Sequence, residues 1–85
     1  MKTVYKYRVD GATEIRVPVG SKVIHVGMQN GAPYIWVEVS TNPHLDIEGR
    51  YFEIAGTGWE IEDDAVHIGS VIDGAFVWHI YEVQG

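Results

Sequence analysis

The stretch "KVIHVGMQNGAPYIWVEV", from Lys22 to Val39, carries the clearest signal of secondary structure in the chain. Two runs rich in β-branched and aromatic residues flank the pair Asn30-Gly31. A type I′ hairpin turn needs a positive φ at both of its central residues, and Asn-Gly tolerates this better than other pairs. The stretch therefore predicts an antiparallel hairpin with one strand from Lys22 to Gln29 and the other from Pro33 to Val39.

Along the rest of the chain, apolar residues recur at every second position or in short β-branched and aromatic runs, as in β-strands. No segment has the apolar pattern of a helix. Pro18 indicates an edge strand or the end of one, since proline cannot donate to a ladder. Asp73-Gly74 is a second hairpin signal, and the polar stretch from Ser40 to Gly49 is the longest expected loop. The other predicted strands are "TVYKYRV", "ATEIRVPVG", "RYFEIAG", "VHIGSVI" and "AFVWHIYEV".

The predicted fold class is therefore all-β, a small antiparallel β-sandwich or barrel of about seven short strands. Residues 1–85 should form a single β domain, because a chain of this length has no room for two cores. In the last predicted strand both faces are largely apolar, which an antiparallel sheet with one wet face should not show. Either the sheet curls into a closed barrel, or a second copy of the chain covers the outer face. We expect a homo-oligomer.

Composition excludes several classes of function. Twelve acidic residues against six basic ones give a net charge of −6, which argues against a binder of duplex nucleic acid. There is no cysteine, hence no disulfide and no cysteine-based zinc site. No stretch approaches the ~20 apolar residues of a membrane helix, and the first residues do not resemble a signal peptide. We expect a cytoplasmic protein without a membrane partner.

Catalytic and metal motifs are absent from the sequence. It has no Gly-x-Ser-x-Gly elbow and no phosphate loop. The four histidines lack metal spacing, although strands could bring His25, His67 and His79 together. The acidic residues between Glu60 and Asp64 lack the spacing of a calcium loop. We predict no enzyme activity, no cofactor and no metal. Among the functions considered below, a small hydrolase that uses His79 and the acidic loop is the least favoured.

The corner "GTGW", from Gly56 to Trp59, is the feature with the clearest binding chemistry. Gly56, Thr57 and Gly58 could form a nest of backbone N–H groups for an anion, and Trp59 offers a plane for a flat ring. Alternatively, the glycines only turn the chain and Trp59 caps the core. The residues alone favour this second interpretation, because such turns are abundant in small β proteins.

Several motifs nevertheless resemble those of a family of small uncharacterised phage and prophage proteins. The resemblance rests on Gln29-Asn30-Gly31, Trp36, Gly56-Thr57-Gly58 and Val77-Trp78-His79. Trp59 departs from the family pattern, which usually has histidine there. The resemblance implies a phage origin, and therefore the cytoplasm of an infected bacterial host.

Small phage proteins without catalytic residues often act by binding, and some resemble sponges that sequester nucleotide immune signals. We therefore hypothesise a non-enzymatic oligomer that binds a cyclic nucleotide or an ADP-ribose-type molecule. The alternative is a protein-interaction or minor virion module that uses its apolar sheet face. In the first hypothesis the pocket is lined by the corner residues, Lys6, Arg8 or Arg50 meets phosphates, and His79 or Gln29 meets ring or ribose edges.

Overall fold

A computed structural model describes residues 1–84, and these form seven β-strands and no helix. The strands build two antiparallel sheets, one with the order β1-β4-β3 and the other with the order β2-β5-β7-β6. The all-β prediction is confirmed, and the architecture is a sandwich of two separate sheets. The strands are β1 Lys2–Arg8, β2 Ala12–Pro18, β3 Lys22–Gln29, β4 Ala32–Ser40, β5 Ile47–Gly56, β6 Val66–Asp73 and β7 Phe76–Val83.

Both predicted hairpins form, but the turn of the second lies one residue later than the predicted Asp73-Gly74. Asn30 and Gly31 have φ angles of 53° and 76° between the paired residues Gln29 and Ala32, as a type I′ turn requires. In the second hairpin Asp73 pairs with Phe76, so the central residues of the turn are Gly74 and Ala75. Gly74 has a φ of 59° and is the first central residue, which is the pattern of a type II′ turn.

The predicted loop from Ser40 to Gly49 is shorter than the sequence indicated. Strand β4 continues to Ser40, and β5 already begins at Ile47, which pairs with Pro18. The extension follows from tertiary pairing with β2, which the polar composition of this stretch does not reveal. Strand β2 lies at the edge of its sheet and ends at Pro18, as the proline predicted.

The core lies between the two sheets, and its fully buried residues come from β2, β4, β5 and β7, with Val9 directly after β1. Strand β4 alternates strictly, with Ile35, Val37 and Val39 buried and the residues between them partly exposed. The shortest extent of the molecule is 15 Å, which is enough for two sheets packed face to face but not for a third layer. The outer face of each sheet is therefore not covered by another layer of the same chain. The buried cluster consists of Val9, Ile15, Val17, Ile35, Val37, Val39, Phe52 and Ile80.

Tyr7 packs against this core from β1 and makes a contribution to stability that is lost at high pH. Burial, with a smaller contribution from Tyr5, raises the pKa of Tyr7 above its usual value of 10.0. The folded protein therefore holds this proton more tightly than the unfolded chain. Its contribution is complete below about pH 10 and is lost as the pH rises through the folded pKa.

We expect the urea midpoint to fall above pH 10, and to fall less steeply in Tyr7→Phe, which lacks the titrating hydroxyl. Urea titrations at several pH values between about 8 and 11 measure this difference. An equally steep decline in both proteins would contradict it.

Candidate ligand-binding site

The corner from Gly56 to Trp59 is a tight turn at the end of β5. The backbone N–H of Trp59 donates to the carbonyl of Gly56 at 3.1 Å, and Gly58 has a φ of 89°. This is the geometry of a type II turn, whose third residue needs a positive φ and is therefore usually glycine. The N–H of Trp59 is thus used within the turn, while the predicted nest would be formed by the N–H groups of Gly56, Thr57 and Gly58.

Trp59 lies outside the core in an aromatic cluster, which we define as Trp59, Phe76 and Trp78. A Cβ atom on Gly56 would lie only 2.9 Å from Cε2 of Trp59, so the indole rests on the glycine. The rings of Trp59 and Trp78 meet edge to face with centroids 5.8 Å apart, and Phe76 stacks on Trp78 at 5.9 Å. Trp59 remains 60% exposed and Phe76 63% exposed, so both keep surface for a partner.

Two hollows adjoin the aromatic cluster. The larger has a volume of about 400 Å³ and lies between the two tryptophans, the β1–β2 connection and the turn between β3 and β4. The smaller has about 310 Å³ and lies on the side of Thr57, Phe76 and Val77. Both volumes are within the lower range of small-molecule sites, about 300–1,000 Å³. The larger hollow is lined by Arg8, Asp10, Pro33, Ile54, Trp59 and Trp78, among others.

Arg8 is the basic side chain that lines the larger hollow. Its Nε lies 2.9 Å from a carboxylate oxygen of Asp10, and both side chains are more than half exposed. An exposed pair of this kind contributes little, about 0–1 kcal/mol, so an incoming anion can compete with it. A guanidinium has five N–H donors, and the contact through Nε leaves the others free to meet a phosphate. The structure thus brings Arg8 and Trp59 to the same hollow.

His79 is joined to the corner by a chain of side-chain hydrogen bonds. Its Nε2 lies 3.0 Å from Oγ1 of Thr57, and its Nδ1 lies 2.7 Å from Oγ of Ser70. Ser70 in turn lies 3.0 Å from Nε2 of His67. The sequence predicted His79 as a site residue and named His67 only as a histidine that the strands could bring near it, whereas Ser70 was missed. Ser70 could have been found from its pairing with His79 across the hairpin. That pairing can be inferred from the sequence only when the position of the turn is known.

Lys6 and Gln29 lie away from the corner. Their side chains are hydrogen-bonded to each other over β4, on the outer face of the three-stranded sheet. Lys6 also lies over the ring of Tyr34, with its Nζ 5.4 Å from the ring centroid. These two predicted residues therefore form a separate surface.

Arg50 is also remote, because it lies six positions before Gly56 on β5, which is about 20 Å along a strand. Its Nε and Nη2 each donate to Glu82 at 2.7 Å, and its Nη1 donates to the carbonyl of Ser21. The hydrogen bond to Glu82 is the main reason that the pKa of Arg50 is raised. Its contacts tie β5 to β7 and to the turn after β2, which is a structural role.

The histidines and carboxylates do not converge on a metal position. Residues 1–84 contain no group of three or more histidine, cysteine, aspartate or glutamate side chains that could hold a metal ion. His25 lies against Trp36 on the three-stranded sheet, while His67 and His79 lie on the other sheet. Within the same residues, no helix has the length and apolar character needed to cross a membrane.

Comparison with models of protein families places the chain in a family of unknown function. No curated protein and no solved structure matches the sequence. Residues 1–85 match a domain of unknown function, DUF7352, over their whole length, and the chain belongs to this family.

Proposed function

We propose that the chain is a non-enzymatic binding protein that holds a planar, negatively charged ligand of the nucleotide type against the aromatic cluster. The observation that carries this proposal is the exposed indole of Trp59, which meets Trp78 edge to face and shares a hollow of about 400 Å³ with Arg8. Stacking of a base on an aromatic side chain is worth about 1–3 kcal/mol. A guanidinium adds charge-assisted hydrogen bonds to phosphate.

The distribution of charge favours one orientation of the ligand. A separate concavity beyond the corner is lined by Glu53, Glu60, Glu62 and Asp63, and would repel a phosphate. The phosphate therefore points toward Arg8 and the base toward Trp59. We propose that a ribose edge meets the hydroxyl of Thr57, which lines the smaller hollow and keeps hydrogen-bonding capacity beyond its contact with His79.

A role as a phage-encoded sponge belongs to the same proposal. Sequestration of a nucleotide immune signal requires binding without turnover, in the cytoplasm of an infected bacterium. A homo-oligomer would suit this role, and exposed apolar residues beside the aromatic cluster favour it. Ile72 is 74% exposed and pairs across the hairpin with Val77, which is also exposed. A second copy over this surface would remove apolar area from water.

The second candidate is a module that binds a host or phage protein. It is favoured by the same exposed surface, because Ile72, Phe76 and Val77 form an apolar tip on one hairpin. The two functions differ in what Trp59 does. A nucleotide site needs the indole as a stacking plane, whereas a protein partner would use the hairpin tip whether or not a nucleotide is present.

Thermal denaturation with a panel of mono-, di- and cyclic nucleotides and ADP-ribose tests the first function. A ligand at 100 times its Kd should stabilise the fold by about 2.7 kcal/mol. For a domain of this size that raises Tm by about 11–22 °C. Trp59→Ala should abolish the shift in Tm. Tyr51→Ala removes an exposed ring from β5, away from the aromatic cluster, and should retain the shift.

Two further measurements complete this test. Ligand recovered after heat denaturation should be intact, as expected of a binder that does not turn its ligand over. Light scattering should report more than one copy per particle. A homogeneous protein whose Tm responds to none of these nucleotides would contradict the proposal and favour the interaction module.

A further inference from the structure

The outer face of the three-stranded sheet concentrates the positive charge of an acidic molecule. Strand β4 buries Ile35, Val37 and Val39, so the side chains between them point away from the core. Residues directly opposite on neighbouring strands share a face of the sheet. We call this surface the cationic face and define it by Lys2, Lys6, Arg8, Lys22, Tyr34 and Trp36, which the strand registers place on it.

The separation of charge is large for so small a protein. The cationic face holds four of the six basic residues and the carboxylate of Glu38, and Asp10, two residues after Arg8, is paired with Arg8 at 2.9 Å, which gives a net charge of +2. The rest of the chain holds two basic and ten acidic residues, a net charge of −8, and the two parts give the total of −6. Glu38 itself is hydrogen-bonded to Lys2 at 3.2 Å. Of the other cations, Lys6 lies over the ring of Tyr34 and Arg8 pairs with Tyr34 in register, while Lys22 pairs with Glu38.

Three rings form a row across two strands of this face. The centroids of Tyr34 and Trp36 are 6.1 Å apart, and those of Trp36 and His25 are 5.1 Å apart. Gly27 provides the space for the row, because a Cβ atom there would lie 3.1 Å from Nε2 of His25 and 3.6 Å from Trp36. Lys6 pairs with Trp36 in register and lies over Tyr34, so cation and rings are interleaved.

We infer that the cationic face binds single-stranded nucleic acid. Bases stack on Tyr34 and Trp36, and phosphates lie near Lys6, Arg8 and Lys22. A sheet surface that combines aromatic planes with a few cations is the arrangement that binds single strands with little preference for sequence, because every base has a π-face. Arg8 also lines the hollow at Trp59, but the rings of the two surfaces differ. The inference therefore does not depend on the proposed nucleotide site.

The acidic remainder of the molecule does not prevent this binding. At physiological ionic strength exposed charges are screened over about 8 Å. The thinnest dimension of the sandwich is 15 Å, so charges on the outer face of the opposite sheet are largely screened from this one. Asp10 lies nearer and pairs with Arg8, but both side chains are exposed, and a phosphate can displace so weak a pair. A duplex hides its base planes and would gain only from the few cations. The face therefore prefers single strands to duplexes.

Fluorescence anisotropy of a labelled oligothymidylate of about 15 nucleotides tests the inference. We expect Kd between about 10⁻⁴ and 10⁻⁶ M near physiological salt, in the range of non-specific binding. The slope of log K against log salt should be about −2, because each phosphate neutralised on a single strand contributes about −0.7. Trp36→Leu should weaken binding at least about 5-fold through the loss of stacking. Lys6→Ala should make the slope shallower by about 0.7.

Matched variants separate the cationic face from the rest of the molecule. Arg16→Ala removes an exposed cation from β2, in the other sheet, and should leave both affinity and slope unchanged. Trp59→Ala should remove mononucleotide binding and leave oligonucleotide binding intact, so that either proposal can fail alone. Circular dichroism confirms that each variant is folded, and Tyr34→Leu replaces Trp36→Leu if the latter is not. Absence of binding at about 1 mM protein, a duplex bound as tightly, or ring variants of unchanged affinity would each overturn the inference.

Discussion

Replacing Arg50 with alanine should lower the free energy of unfolding by about 2–3 kcal/mol. The guanidinium donates two hydrogen bonds of 2.7 Å to Glu82 and a third to the carbonyl of Ser21. Both charged side chains are largely buried, with 17% and 19% of their surface exposed. Without its partner, Glu82 would keep a carboxylate in a poorly hydrated site. Breaking a fully buried pair costs about 3–5 kcal/mol, and the remaining exposure here lowers that figure.

Urea unfolding of Arg50→Ala and of the parent chain measures the effect, which corresponds to a fall in Tm of about 8–24 °C. Arg16→Ala is the matched control. Arg16 approaches Glu14 only to 3.8 Å and is 65% exposed, so its loss should change stability by less than about 0.5 kcal/mol. The double variant Arg50→Met, Glu82→Leu should recover part of the loss, because it leaves no unpaired charge. Equal effects of the two single arginine variants would show that the buried pair contributes no more than an exposed one.

The strands were readable from the sequence because each keeps one face on the core. In the stretch from Lys22 to Val39, runs of β-branched and aromatic residues predicted both strands of the hairpin, and Asn30-Gly31 predicted its turn. The start of β5 was not readable, because Ile47 and its neighbours are recruited by pairing with β2, a long-range contact that leaves little trace in local composition. The order of strands in each sheet is likewise a product of long-range pairing.

The candidate site was readable only in part, for the same reason. Trp59 and Arg8 line the same hollow because the β1–β2 connection and the residues after β5 lie at the same end of the sandwich. Arg50 is remote from Gly56 although both lie on β5, since an extended strand separates them by about 20 Å. Lys6 was expected near the corner, and the pairing of β1 with β4 instead places it among the rings of the cationic face. Residue chemistry was informative, while the sheet decided which residues meet.

The two sheets approach each other closely at Gly69 on β6. We therefore expect their packing to be sensitive to any side chain at this position. Gly69 follows an irregularity in β6, where the register with β7 shifts between His67 and Gly69. A Cβ atom on Gly69 would lie 3.0 Å from Cγ2 and 3.1 Å from Cβ of Val26 on β3. The second of these atoms is next to the backbone and cannot rotate away. A side chain at this position must therefore push the two sheets apart or distort β6.

We expect Gly69→Val to lower the free energy of unfolding by about 2 kcal/mol, within the 1–3 kcal/mol typical of overpacked cores. The higher strand propensity of valine acts in the opposite direction by less than about 1 kcal/mol, so the steric effect prevails. Gly69→Ala, which adds one methyl group, should be milder. In the background of Val26→Ala the cost of Gly69→Val should shrink by at least about 1 kcal/mol, because the smaller residue on β3 makes room for the larger one on β6. A double-mutant cycle from urea unfolding measures this coupling. Additive effects would mean that Val26 and Gly69 do not touch, and the sheets would then have to pack in another register.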